Sequence, residues 1–238
     1  MSTPASIVQQ HPRWNLEVLR EHIRTRVPAE AATEATANDA REQLEIVSSL
    51  GRSGEIFGYH LRHARDAFKG LIDETEPTCA ANFNLVLGAS DRQEEASMAH
   101  IICEAHVMGC MHTARGWGDS FAALINRLLL ASAIDEGDCN IFKAKDELKP
   151  SELKEELEAL TSRREFKYVN HFVNTVKHRR LIRHEIKINF ADNKIGLVVG
   201  PFRRYPQRWG TDVLQDVVEV QHGLVRCGVA LNRHCGLG

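Results

Sequence analysis

The densest run of chemically capable side chains is Lys167-Tyr-Val-Asn170-His171-Phe-Val-Asn174-Thr-Val-Lys177-His178-Arg179-Arg180. At about 100° per residue, a helix through it gathers Phe166, Val169, Phe172, Val173 and Val176 on one side. Asn170, Asn174 and His178, each four apart, form a second stripe beside the apolar one. Such a helix would hold two amides and an imidazole along one line, with Lys177 and Arg179 flanking it within reach of a phosphate. The chemistry this suits is proton transfer by imidazole next to a bound anion. An amphipathic helix with an ordinary polar face is the alternative, but Asn is a weak helix former, and two of them beside a His are less expected than Glu or Lys.

A second constellation is Cys103, His106 and Cys110, with His100 and His112 nearby. Spacings of three and four put the first three within an arc of about 60°, and thiolate and imidazole are good zinc ligands. The same segment carries Ile101, Ile102, Ala105, Met108 and Met111, and free Cys is among the most buried residue types, so core packing is the favoured reading and no metal site is assigned. Phe202-Arg203-Arg204-Tyr205-Pro-Gln-Arg208-Trp209 interleaves aromatic and basic residues as a single-stranded nucleic-acid contact does; a packed loop whose arginines meet acidic helices fits equally. Tyr59-His60-Leu-Arg62-His63 faces two ways on a helix and reads as surface plus core. No dinucleotide, Walker A, Gly-x-Ser-x-Gly or His-Glu-x-x-His motif is present.

The elements that must position these residues are mostly helical. Amphipathic segments run from Trp14 to about Arg26, ended by Pro28, from about Thr33 to Leu50, stopped by Gly51, and through Phe57, Leu61, Ala64, Phe68 and Leu71 to Pro77. Residues 80–90 lack a stripe and read as loop. Ser90-Asp91-Arg92-Gln93 resembles a capping box opening a long helix to Arg115, with Gly116-Trp117-Gly118 as a break and a further helix from Asp119. Asp135–Pro150 is turn-like, Ser151 is a cap, and helix resumes through Leu153, Leu157 and Leu160 and continues or restarts through Phe166 to His184. Glu185–Phe190 alternates with period two, Ala191–Lys194 is turn-like and Ile195–Val199 is apolar, which predicts a β-hairpin. A last amphipathic helix starts at Thr211. The fold class expected is mainly α: one helical-bundle domain over 1–238, with one β-hairpin at 185–200 before a terminal helix at 211–235.

With 238 residues the chain can bury a core without staples, and 43% hydrophobic against 26% charged residues is too apolar for general disorder. The most apolar stretch, Phe121–Ile134, is broken by Asn126 and Arg127 and is too short to span a membrane. No secretory signal is visible in residues 1–20, and the six cysteines form no Cys-x-x-Cys pair, so reduced thiols and a cytoplasmic location are expected. Net charge is −2 overall, yet residues 163–209 hold twelve Lys/Arg against three Asp/Glu, a local +9 that leaves −11 elsewhere. A basic segment in an acidic chain suits an anionic partner such as a phosphodiester backbone.

Phe172-Val-Asn174-Thr-Val-Lys177-His178-Arg179-Arg180, late in a helical chain, resembles the Asn-x-x-Lys-His-Arg segment of a bacterial branch of the HEPN superfamily. Glu104-Ala-His-Val to Asp119-Ser-Phe-Ala-Ala-Leu-Ile-Asn126 is similar to the same branch, with its long helix, polar break and Asp-led second helix. The resemblance covers roughly residues 92–184. It implies a helical bundle with metal-independent RNA cleavage of toxin or defence type, no cofactor, a homodimer lining one cleft, and an antitoxin or other protein partner. His178 would be general base or acid, Asn174 the positioning group, and Lys177 and Arg179 the phosphate contacts. Asn170, His171, Arg180, Arg203, Arg204 and Arg208 would be further RNA contacts. The family's Arg-x4–6-His signature occurs literally as Arg164/His171 and Arg179/His184, but about three chance matches are expected from 21 Arg and 12 His. Asn174 stands near where the family more often has Arg, and an amide cannot neutralise a phosphorane as guanidinium can, so Lys177 or Arg179 would have to substitute. A non-catalytic RNA- or protein-binding module, with the Asn/His stripe tying helices together, is the alternative; a zinc protein using Cys103, His106 and Cys110 is a third.

Overall fold

The computed structural model describes residues 13–26 and 33–237. The chain termini and the segment containing Pro28 lie outside the described residues. Among those described, eight α-helices surround one continuous core: α1 (Leu16–Thr25), α2 (Glu34–Asp66), α3 (Ala80–Leu87), α4 (Gln93–Leu129), α5 (Ile141–Glu147), α6 (Glu152–Ser162), α7 (Arg164–His178) and α8 (Gly210–His234). Strands β1 (His184–Asn189), β2 (Lys194–Val199) and β3 (Arg208–Trp209) lie between α7 and α8. The mainly α fold with a hairpin before the terminal helix is therefore the observed one. No described helix is long and apolar enough to cross a membrane.

α4 is the axis of the bundle. Its 37 residues extend about 55 Å, and α2, α5, α7 and α8 all pack against it. The break expected at Gly116-Trp117-Gly118 does not occur. Trp117 is buried with its indole N–H donating to the Leu50 carbonyl at 3.1 Å, and Gly118 sits under Ile141 and Leu224. Gly116 is exposed, but burial of Trp117 and Gly118 against α2, α5 and α8 outweighs the low helix propensity of two glycines, roughly 1 kcal/mol each. Gly51 likewise fails to stop its helix: the two segments expected on either side of it are one helix, α2.

Residues 80–90 are not loop. α3 forms there, with the Cys79 thiol accepting from the Asn82 N–H and Gly88 closing the helix at φ +76°. It was invisible as a stripe because only Asn82 and Leu85 are buried on it. The capping box at Ser90 is also absent: Ser90 Oγ accepts from the Arg92 N–H, and α4 starts without a side-chain cap. The segment 135–150 contains a 3-10 turn, Glu136–Asp138, and α5. Ser151 does cap α6, accepting from the Lys154 N–H.

The hairpin pairs in antiparallel register from His184 opposite Val199 to Asn189 opposite Lys194. β3 adds to its β2 edge, with Val198 opposite Trp209. The strands pack on α3, α4 and α8, and the basic loop 200–207 between β2 and β3 closes on α7.

α8 comes close enough to the indole of Trp14 that a Cβ on Gly228 would stand 2.3 Å from it. That ring is pinned by its N–H bond to Asn232 Oδ1 at 2.9 Å and by edge contacts with Trp117 and Phe121. Gly228→Ala should therefore cost about 1–3 kcal/mol through overpacking, read as a lower urea midpoint at unchanged slope.

Candidate functional site

α7 starts after Arg163 and stops at His178, not at the expected His184, which opens β1; Arg179 leaves helical geometry while its N–H, and that of Arg180, still bond to the Thr175 carbonyl. Phe166, Tyr168, Val169, Phe172, Val173 and Thr175 face the core. Lys167, Asn170, His171, Asn174, Lys177 and His178 fall on the opposite arc of about 120°, half-buried at Asn170, His171 and Asn174 and exposed at Lys167, Lys177 and His178. The amide and imidazole stripe is thus a ribbon open to solvent.

One edge of the ribbon is lined by α4. Arg115 Nε donates to Asn170 Oδ1 at 2.9 Å, and Asn174 Nδ2 donates to the same oxygen at 3.4 Å. The other side of the guanidinium meets the Asp119 carboxylate. One turn before Arg115 on α4, partial burial and the nearby Lys177 ammonium hold the His112 imidazole below its usual pKa. Arg115 and His112 therefore join a site that α7 alone does not complete. Their trace in the sequence is a polar series, His112, Arg115 and Asp119, at helical spacing on α4.

The other edge is the basic loop. Tyr205 OH and His171 Nδ1 are 2.9 Å apart, and Arg203 Nε donates to Thr175 Oγ1 at 3.2 Å while that hydroxyl donates to the His171 carbonyl at 2.7 Å. Arg203 has φ +49°, a left-handed conformation that a non-glycine residue adopts at a cost of order 1 kcal/mol. Burial, then Arg203 and Arg204, lower the His171 pKa. Arg204 is exposed, with its guanidinium 5.9 Å from the Tyr205 ring centre. Arg208 is placed differently: it forms a 2.5 Å ion pair with Asp216 and lies 4.9 Å over the Tyr168 ring, so its charge is already met within the fold. Arg179 and Arg180 are exposed just past α7.

No family model, curated protein or solved structure matches this chain. The site's own chemistry is what there is to read.

The literal signature pairs do not assemble. The His184 side chain is fully buried, with Nδ1 2.8 Å from the Ile182 carbonyl and 3.3 Å from Glu104. Arg164 pairs with Glu165 at the far end of α7.

The Cys/His constellation on α4 is divided between core and surface. Cys103 Sγ donates to the Ala64 carbonyl, Cys110 is buried, and burial pushes both thiols up to about 12, so neither is a thiolate near neutral pH. His106 instead meets His60, Nδ1 to Nδ1 at 2.8 Å, with His63 stacked at 5.0 Å on its ring. The approach requires glycine at 109, where a Cβ would lie 2.5 Å from His60. Among the described residues no group of three or more His, Cys, Asp or Glu is arranged to hold a metal.

Burial and neighbouring imidazoles lower the pKa of both His60 and His106 below the ordinary 6.5. The unfolded chain then takes up protons first as pH falls, so stability is complete above about 6.5 and declines below it until the lowered native values are passed. Thermal melts followed by circular dichroism should show Tm falling from pH 7.5 to 5.5, with a shallower fall in His106→Gln.

Proposed function

We propose that this chain is an RNA-directed, HEPN-like protein that cleaves RNA without a metal. The observation that carries this reading is Arg115, which α4 brings against Asn170, itself bonded to Asn174, on the ribbon that ends at the exposed His178. It supplies the guanidinium that α7 lacks at the position of Asn174. A fixed, planar cation beside a phosphoryl oxygen stabilises charge that grows in the transition state.

In this reading Lys177, Arg179 and Arg180 grip the backbone at the solvent end of α7, and Arg203 and Arg204 hold it from the loop. Asn174 orients the scissile phosphate, and Asn170 is the hinge between the amides and Arg115. His178 transfers a proton to or from a ribose oxygen. Requiring the 2′-hydroxyl as nucleophile selects RNA over DNA. The local +9 of residues 163–209 supplies the long-range attraction. A second copy facing this ribbon would complete a shared cleft, a protein antidote would act by covering it, and the cytoplasm would be its compartment.

One observation favours a second reading. Asn170 Oδ1 is already shared by Arg115 and Asn174, and Arg115 is also paired with Asp119. A network so fully satisfied also serves to fasten α4 to α7, leaving a module that binds RNA through its outer cations without cutting it.

Total RNA incubated with full-length protein in chelator separates the two. His178→Ala should lower cleavage about 10²- to 10⁴-fold with Tm and helical content unchanged, because the exposed imidazole has no partner among the described residues; equal activity removes the assignment. Arg115→Ala should lower cleavage and Tm together, whereas under the binding reading it lowers Tm alone and the wild type leaves RNA intact.

A further inference from the structure

We infer that His171 is a second catalytic imidazole, paired with His178 across the scissile phosphate that Asn174 and Arg203 hold between them. This rests on the cleavage reading and deepens it by assigning the two proton transfers to separate groups.

The geometry is that of one helix. Seven residues advance α7 by about 10.5 Å and return the side chain to within about 20° of the same direction. His171 and His178 therefore stand two turns apart on one face of the exposed ribbon. Asn174 lies between them, three residues from one and four from the other. Two hydrogen bonds of about 2.8 Å, with the attacking and leaving oxygens of an in-line phosphoryl transfer between them, span a similar length.

Each part of the arrangement has its own support. Tyr205 occupies Nδ1 of His171 at 2.9 Å. With the phenol oxygen accepting from Nδ1–H, Nε2 carries the lone pair and has no protein partner among the described residues. Arg203 is fixed one turn along by its bond to Thr175 Oγ1, whose hydroxyl also bonds to the His171 carbonyl. Only its Nε is used, so the terminal nitrogens of the guanidinium are open to two phosphate oxygens. The left-handed backbone at Arg203 is a strained conformation retained at the residue that would grip the anion.

The surroundings set the roles. The charged and titratable groups about His171 are Lys167 and His178 on α7 and Arg203, Arg204 and Tyr205 on the loop. Partial burial and the two arginines keep His171 neutral at lower pH than an ordinary histidine, which suits the base. Its Nε2 takes the proton of the ribose 2′-hydroxyl as that oxygen bonds to phosphorus. The bond from phosphorus to the 5′ oxygen breaks, and His178 gives its proton to the departing oxygen. The products are a 2′,3′-cyclic phosphate and a 5′-hydroxyl, with no metal or redox partner consumed. Bulk water returns both imidazoles to their starting states.

The test is single-turnover cleavage of a short RNA oligonucleotide by full-length protein in chelator between pH 5 and 9, with filter binding of the same RNA. The wild type should give a bell-shaped profile. His171→Gln, which keeps a group facing Tyr205, should lose the limb that rises with pH and about 10²-fold in rate at neutral pH, with binding unchanged. Tyr205→Phe should shift the midpoint of that limb without abolishing it, and His112→Gln should keep both limbs. If His171→Gln retains the rising limb, or loses rate and binding in equal proportion, His171 is not the base, and the cleavage reading stands on His178. Should His171→Gln fail to fold, an unmoved midpoint in Tyr205→Phe overturns the assignment instead. A wild type that cuts no RNA overturns the cleavage reading and this inference together.

Discussion

The fold depends on α4 passing through Gly116-Trp117-Gly118 without interruption. Its indole fills the space between α4 and α2 and is satisfied by one carbonyl, that of Leu50. Phe121 stacks on the same ring and Trp14 meets it edge-on, which draws α1 and the C-terminal part of α8 onto the same layer. A kink at this point would turn the second half of α4 away from α8 and carry Asp119 away from Arg115. The continuous helix instead holds His112, Arg115 and Asp119 in one row along the border of α7.

That row meets α7 in antiparallel sense, Arg115 beside Asn170 and His112 nearer Lys177. The buried face of α7 is apolar and tightly filled, so its rotation about its own axis is determined, and with it which polar groups emerge. The loop after β2 contributes from the opposite border, since β3 pairs back onto β2 and α8 begins directly after it. Positive charge is consequently gathered from three separate parts of the chain onto one ribbon, while Arg208, from the same basic loop, is drawn inward by Asp216. Sequence proximity and spatial proximity part company within six residues.

The histidines show the same division by environment. His184 is sealed in the core beside Glu104, His60 and His106 face each other at the α2–α4 seam, and His171 and His178 stand at the surface of α7. The buried cysteines, with protonation favoured by desolvation, belong to packing. Residue type alone did not separate these roles; desolvation and the nearest charges did.

What the residues settled unaided follows from periodicity. The apolar stripe of α7 specified its buried face and therefore the exposed line of Asn170, Asn174 and His178; alternation specified the hairpin; Ser151 marked the start of α6. These are local consequences of 3.6- and 2-residue repeats and of one hydroxyl finding one free N–H. Tertiary structure decided the rest. It kept α4 and α2 continuous through glycines, because burial of the neighbouring side chains, Trp117 in α4 and Leu50 and Phe57 in α2, outweighs a local propensity near 1 kcal/mol. It made α3 a helix where no stripe announced one. It also brought Arg115 to Asn170 across 55 residues and Arg203 to Thr175 across 28, since which helix faces which depends on the shapes and charges of whole surfaces and leaves no periodic mark on either segment.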